Sequence, residues 1–307
     1  MKRNVHGIFL LNKPLGISSN RALQIVKRLF HAAKAGHTGS LDPLATGMLP
    51  ICLGEATKYS QHLLDADKCY TVTAQLGVRT DTGDAEGAVI RRCEDVASLS
   101  LLSPPELAAL LQPFTGEIQQ IPPMYSALKH RGQCLYEYAR RGESIERPAR
   151  TVTIHQLEPM GVTADTISLR VQCSKGTYIR SLIDDLGEKL GCGAHVVRLH
   201  RAWVHPFETA RMLDIATLEQ SIERAAAVLP VDAALLAWPL HRLTAPQAKS
   251  LQQGLPLFLE NLAPGCLRLY DQHNNFLGVG SIDNSGEVVN KRLMSTNFLP
   301  TEHFHII

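Results

Sequence analysis

Gly36-His37-Thr38-Gly39-Ser40-Leu41-Asp42-Pro43-Leu44-Ala45-Thr46-Gly47-Met48-Leu49 sets three glycines, two threonines and a serine among four large apolar residues. That mixture is poor for a helix and poor for a strand, while Leu41, Leu44, Met48 and Leu49 can anchor it on a core. It predicts an ordered loop. Glycine lets backbone N–H groups approach a ligand closely, and Asp42 is the loop's one carboxylate, restricted by the proline that follows it. A held carboxylate is a candidate nucleophile or base. The competing reading is an ordinary turn, since Asp-Pro commonly opens one with the aspartate bonded to its own backbone. Spacing leaves both readings open.

On the N-terminal side, Gly7 to Leu11 is an apolar run closed by Asn12-Lys13-Pro14, the pattern of a buried strand entering a turn. Ser18 or Ser19 then caps a helix whose apolar residues, Ala22, Leu23, Ile25, Val26, Leu29 and Phe30, recur at helical spacing. On the C-terminal side a short helix is expected over Thr57 to Leu64, and an alternating, β-branched strand over Cys69 to Leu76. Tyr70 lies near the start of that strand, where by itself it reads as an aromatic packed into a half-buried sheet. Thr80 to Gly87 looks like a calcium loop until the twelfth position from Asp81 is found to be Arg92 rather than a glutamate, so an exposed turn with local Asx bonds is expected. The pairs Gly191/Gly193 and Gly278/Gly280 lack the third glycine of a dinucleotide fingerprint.

Pro105 to Leu111 predicts a helix with proline in its first turn. The stretch that follows, to Arg150, is irregular and interleaves Lys129, Arg131, Arg140, Arg141, Arg147 and Arg150 with Tyr125, Tyr136 and Tyr138. Such a surface suits an RNA strand, and equally a solvated loop balanced by Glu137, Glu143 and Glu146. Thr151 to Leu157 and Thr166 to Cys173 alternate like paired strands, and Tyr178 opens a helix that repeats Ile179, Leu182, Ile183, Leu186 and Leu190 on one face. Arg180 at that helix start is opposed by the helix dipole and calls for a nearby carboxylate. Ala194 to Val204 reads as a strand and Leu213 to Ala227 as a helix. Composition changes near Thr244, where a helix to Leu251 and strands over Cys266 to Tyr270, Phe276 to Ser281 and Val288 to Met294 are expected. His303 and His305 near the end are too few for a metal site.

With 307 residues, 45% hydrophobic and 20% charged, the chain can bury a sizeable core, and a net charge of +2 is compatible with nucleic acid without arguing for it. Its seven cysteines form no C-x-x-C pair, which excludes a zinc ribbon and a thioredoxin-type site. Scattered, unpaired thiols and the lack of an export-type apolar segment point to the cytoplasm, with no membrane association.

The opening stretch, continued through Gly54-Glu55-Ala56-Thr57-Lys58, resembles the signature loop of the bacterial tRNA pseudouridine-55 synthases, the tRNA pseudouridine synthase B family. Leu11-Asn12-Lys13-Pro14-Leu15-Gly16-Ile17-Ser18-Ser19, Lys68-Cys69-Tyr70, Thr80-Asp81-Thr82-Gly83-Asp84, Pro122-Pro123-Met124-Tyr125-Ser126-Ala127-Leu128-Lys129 and Cys173 through Arg180 resemble the same family's blocks, in its order. Departures are Ser40 in place of threonine, Asn12 in place of a frequent aspartate, and His200 where an Arg-Arg pair often follows Leu199.

The resemblance implies an α+β fold: a catalytic domain over 1–243 on a mixed, largely antiparallel sheet with flanking helices, and a small PUA-like RNA-binding β-barrel over 244–307. An RNA-facing insertion would occupy about 104–150. It further implies isomerisation of uridine 55 in the tRNA T-arm stem-loop by base flipping, without cofactor, metal or obligatory protein partner, by a monomer. Asp42 would be the catalytic carboxylate, Arg180 its partner and Tyr178 an aid to the sugar or a proton. His37 would fill the place of the extruded base, Tyr70 would stack on it, and Leu199 would line its pocket. Two rivals are a guide-RNA-dependent pseudouridine synthase and an RNA-binding or tRNA-folding module with an idle site.

Overall fold

Burial decides the first element: all of β1 (Gly7–Lys13) except Asn12 is buried, so the strand runs through the middle of a sheet rather than along its rim. The structure, a computed structural model, describes residues 3–94, 96 and 103–295. After β1 come α1 (Ser19–Leu29), β2 (Ala35–His37), β3 (Ala45–Leu53), α2 (Ser60–Leu64) and β4 (Lys68–Leu76). A hairpin of β5 (Val78–Thr80) and β6 (Val89–Arg92) precedes α3 (Pro104–Leu111), β7 (Gly116–Gln120), the short pair β8 (Lys129–His130) and β9 (Gln133–Cys134), and α4 (Leu135–Arg140). β10 (Arg150–Val162), β11 (Thr166–Cys173), α5 (Ile179–Lys189), β12 (Ala194–Val204), α6 (Ile215–Gln220) and β13 (Val228–Leu229) complete the larger part. The remainder holds β14 (Leu240–Arg242), α7 (Ala245–Gln252), β15 (Gly265–Tyr270), β16 (Phe276–Ile282) and β17 (Val288–Leu293).

Among the described residues nine strands form one sheet in the order β13-β1-β3-β12-β4-β11-β10-β7, with β2 added to β3. Its pairings are antiparallel except β3 with β12, where Leu199 stands opposite Ala45 and Arg201 opposite Gly47. Alternation on β4 directs Tyr70, Val72 and Ala74 to a core shared with Leu41, Leu199 and the apolar faces of α1 and α5. The opposite face carries Ile8, Leu10, Met48 and Cys52, covered by Leu63 of α2 and by Val231 to Leu235. Helix α5 lies directly on β12: a Cβ at Gly187 would come within 2.2 Å of the Ala194 nitrogen, so any larger residue would push the helix away.

A separate four-stranded sheet, β14-β15-β16-β17, has its own core of Leu243, Leu251, Leu269 and Val288. It is joined to the larger part by an apolar contact, Phe276 and Val279 packing in the cluster around Tyr59, and by polar ones. Asp232 accepts from Arg268 at 2.8 Å and from the Tyr270 hydroxyl, and the Tyr59 hydroxyl donates to the Arg292 carbonyl at 2.9 Å. No described helix is long and apolar enough to cross a membrane.

Several expectations change. The loop containing Asp42 ends at Leu44, because Ala45 to Leu49 already belong to β3, and pairing on both sides overrides weak strand propensity. Gly47 keeps φ +98° there, and a Cβ would meet the Arg201 carbonyl oxygen at 2.3 Å. The helix expected over Leu213 to Ala227 is cut to α6, since the Arg224 guanidinium binds the carbonyls of Leu218 at 2.8 Å and Glu219 at 2.7 Å and closes its end. A strand not anticipated, β14, pairs parallel with β15. The stretch from 112 to Arg150 is more regular than expected, with β7 paired to β10 and α4 beyond it. His303 and His305 lie outside the described residues.

Candidate active site

The chain from Thr38 to Leu44 crosses from β2 to β3, and buried polar side chains hold it at several points. The Ser19 hydroxyl, at the start of α1, accepts the Leu41 N–H at 2.7 Å and donates to the Leu41 carbonyl at 2.9 Å. Lys13, at the end of β1, is fully buried and donates to the carbonyls of Pro14 at 2.8 Å, Ile17 at 2.7 Å and Pro43 at 3.5 Å. Arg201 on β12 reaches under the loop from the other side, donating to the Met48 carbonyl at 2.7 Å and the Gly39 carbonyl at 3.1 Å. Asp42 is thus fixed by residues before and after it, and its own carbonyl accepts from the Ala45 N–H at 3.0 Å.

Arg180, at the start of α5, brings Nε to 2.9 Å from Asp42 Oδ2. Its other donors are used as well: Nη1 binds the Thr82 carbonyl at 2.7 Å and Nη2 the Tyr125 carbonyl at 2.6 Å. The Arg180 side chain is 5% exposed whereas that of Asp42 is 37% exposed, so the pair has a buried cation and a carboxylate open on one side. The carboxylate that the helix dipole called for is Asp42. A second, Asp84, stands 3.8 Å from Arg180 Nε and is 3% exposed.

Asp84 corrects the reading of Thr80 to Gly87 as an exposed turn. The local Asx bonds are present, with Thr82 Oγ1 donating to Asp84 Oδ1 at 2.6 Å and the Glu86 N–H at 3.1 Å from the same oxygen. Yet the turn is inserted against β12, where the Val196 N–H reaches the Gly83 carbonyl at 3.0 Å and the Ala85 N–H reaches the Val196 carbonyl at 2.9 Å. Burial comes from that pairing, which no local pattern announces.

These charges act on one another. Burial is the largest influence on Asp42 and raises its carboxyl above the ordinary aspartate value; Arg180 opposes that rise and Asp84 adds to it. Burial lowers Lys13 to about 8, against the pull of Asp42. Burial also raises the phenols of Tyr70 and Tyr178, and both feel the charge of Asp42. His37, at the end of β2, is lowered first by burial and then by Arg201, which keeps it neutral near pH 7.

Of the residues picked from the sequence, Asp42 and Arg180 are in contact, and Tyr178 is the residue immediately before α5. Tyr70 and Leu199 are buried in the core that also holds Leu41, and Tyr70 pairs in register with Arg201. His37 stands five positions before Asp42 on the strand that leads into the loop, its Nδ1 buried without a hydrogen-bond partner among the described residues. A cleft of about 610 Å³ opens beside the loop, lined by Leu15, Leu44, Thr46, Met160, Leu199 and His200. His200, the departure from the usual arginine, lies 2.9 Å from the Thr46 hydroxyl. Sequence reasoning missed the parts played by Lys13, Ser19, Asp84, Gln120 and Arg201. For Lys13, Gln120 and Arg201 the signal was a polar residue inside a strand or at its end; Ser19, at the start of α1, and Asp84, in the turn between β5 and β6, take their parts only from the distant segments packed on them. Among the described residues no group of three His, Cys, Asp or Glu is placed to hold a metal ion.

Residues 27–179 match the family described as TruB family pseudouridylate synthase (N terminal domain). Residues 180–236 match the tRNA pseudouridylate synthase B C-terminal domain, and 239–294 the C-terminal domain of pseudouridine synthase II TruB. The chain is 51% identical to tRNA pseudouridine synthase B of Tolumonas auensis, over 95% of this chain and 93% of that one. It is 49% identical to tRNA pseudouridine synthase B of Yersinia pestis, with the same shares covered. Among solved structures, an H/ACA RNP bound to a substrate RNA containing 2′-deoxyuridine superposes with a TM-score of 0.70 at 22% identity, covering 96% of this chain and 87% of that one. A Cbf5-Nop10-Gar1 complex gives 0.69 at 22% identity over 94% and 84%; both establish likeness of fold.

Proposed function

Because the chain belongs to the tRNA pseudouridine synthase B family and isomerises uridine to pseudouridine in tRNA, we propose that its target is uridine 55 in the T-arm stem-loop and that Asp42 carries the reaction. The observation behind this is the Asp42–Arg180 pair: a carboxylate at 2.9 Å from a buried guanidinium, on a loop fastened from three sides.

The reaction breaks the bond between ribose C1′ and uracil N1 and forms one between C1′ and C5; C5 loses a proton and N1 gains one, with no change in oxidation state. The target nucleotide must first leave its stack. His37 takes its place as a neutral ring, and Tyr70 and Leu199 receive the flipped base. Asp42 then acts through attack at C1′, through attack at C6, or through a glycal, and each route needs an ionised oxygen at a fixed place. Arg180 supports that by opposing the rise that burial imposes on the carboxyl, which favours the ionised, nucleophilic form. Tyr178 contacts the sugar or moves a proton beside it. In this reading the chain acts without cofactor, guide RNA or second protein, as a cytoplasmic monomer, and its second sheet adds RNA affinity.

Asp42→Asn tests the centre of this reading. It preserves shape but not nucleophilicity, so product formation is expected to vanish while tRNA affinity stays within about tenfold, ~1.4 kcal/mol. Turnover near the parental rate would refute the assignment. Conversion of unmodified tRNA by the purified chain alone distinguishes it from a guide-dependent enzyme and from an RNA-folding module.

A further inference from the structure

Gln120 is the last residue of β7, the strand at one end of the large sheet, yet it is only 2% exposed. Its side chain pairs with both backbone groups of Tyr178: Oε1 accepts the Tyr178 N–H at 2.7 Å and Nε2 donates to the Tyr178 carbonyl at 3.0 Å. An N–H can only donate, so the amide orientation follows from its partners. A side-chain amide bonded in this way imitates a neighbouring strand and fixes both the position and the plane of the residue it holds.

Tyr178 needs such a support. It is the residue before α5, with extended backbone at φ −102° and ψ 110°, and no side chain caps that helix. The segment after Gln120 continues the same contact, since the Ser181 hydroxyl donates to the Ile121 carbonyl at 3.1 Å and Arg180 Nη2 donates to the Tyr125 carbonyl at 2.6 Å. Tyr178, Arg180 and Ser181 therefore rest on one stretch of chain, 120–125, whose first and most buried fastening is Gln120. The chain leaves this point into the basic, aromatic segment and returns at Arg150, which pairs with Gln120 across β10 and β7.

We propose that Gln120 is a positioning residue of the isomerisation, acting through the Tyr178 backbone to aim Arg180 at Asp42. The proposal rests on the assignment of Asp42 and Arg180 as the reacting site. If Gln120 is released, the first turn of α5 shifts, the guanidinium loosens its hold on Asp42, and the carboxyl is protonated at a higher pH than in the parent.

The test is Gln120→Met, which keeps length and volume but offers neither bond, measured by single-turnover rate against pH and by tRNA affinity. The expected result is a rate lower by about tenfold to a hundredfold, as for a misplaced catalytic group, a dissociation constant for tRNA within about threefold, since Gln120 is only 2% exposed, and an acid limb moved to higher pH. A parental rate, or a lower rate with the acid limb unmoved, overturns the proposal. Gln120→Leu, which also offers neither bond and adds no charge, replaces the methionine variant should that not fold, and its rate and acid limb are judged in the same way. Asp42→Asn, assayed in parallel, keeps the two ideas apart: if that variant turns over normally, the site assignment fails and the proposal with it, whereas an inactive Asp42→Asn beside a Gln120→Met variant of parental rate overturns the role of Gln120 alone.

Discussion

The loop that carries Asp42 and the segment between β7 and β10 both depend on cationic side chains, and they use them in opposite ways. At the loop, Lys13, Arg180 and Arg201 are buried, and their donors are bound to backbone carbonyls, apart from Arg180 Nε, which holds Asp42. In the segment, Arg140 and Arg141 lie over the rings of Tyr136 and Tyr138, at 5.3 and 4.7 Å, and Arg141 pairs with Glu143 at the surface. A buried cation satisfied by carbonyls cannot move without leaving polar groups unpaired, so it fixes geometry. A surface cation on an aromatic ring exchanges partners at little cost and can turn to a phosphate. Under the proposed function, chemistry belongs to the first region and grip on tRNA to the second.

The division breaks most visibly at Arg180. Replacing it with methionine deprives Asp42 and the buried Asp84 of the guanidinium they share and should cost about 3–5 kcal/mol of stability along with nearly all turnover. Arg180→Lys restores charge but not the planar fork, so it should fold and turn over slowly. Chemical denaturation and single-turnover assays measure both, and an Arg180→Met variant as stable and active as the parent would remove the distinction. Ser19→Ala comes next: it deprives the buried Leu41 N–H and carbonyl of their shared partner, at about 1–3 kcal/mol, and should lower the rate because the residue before Asp42 is released.

Acidity tests the same loop without mutation. The carboxyl of Asp42 is raised, so its ionised fraction falls as pH drops through a value above the ordinary ~3.9, and the single-turnover rate should fall there while tRNA binding persists. On the alkaline side Lys13 loses its charge near pH 8. Its folded pKa lies below its unfolded one, so raising pH from about 8 upward shifts this group's contribution in favour of the folded state. A decline in rate across that window would therefore not come from unfolding through Lys13. The smallest effect on chemistry is expected in the other region. Arg140→Ala with Arg141→Ala should weaken tRNA binding and flatten its salt dependence, with the rate at saturating tRNA and the melting temperature unchanged. A lower saturated rate would mean that this segment also shapes the site.

Five strands of the larger part, β1, β4, β10, β11 and β12, and its two long helices were legible as patterns. The alternation of β4 and β11, and the stripe Ile179, Leu182, Ile183, Leu186 of α5, depend on a period that any buried face imposes. Where a pattern was weak, distant residues decided. Leu213 to Ala227 has helical composition throughout, but Arg224 ends the helix by taking its carbonyls, and Ala45 to Leu49 have loop composition but are strand because β1 and β12 pair with them.

What the sequence determined by itself was the signature around Asp42, the placement of Arg180 at the start of a helix that wanted a carboxylate, and the alternation that puts Tyr70 on a half-buried sheet. These are local properties: a side chain's identity, its spacing, and the field of its own helix. Only the tertiary structure decided that Asp42 is that carboxylate, that Asp84 is buried beside it, and that Lys13, Ser19, Arg201 and Gln120 hold the surrounding backbone. The reason is desolvation. Whether a charge or amide is a solvated ornament or a rigid support depends on which distant segment removes its water, and that is set by strand order and packing, not by neighbours in the chain.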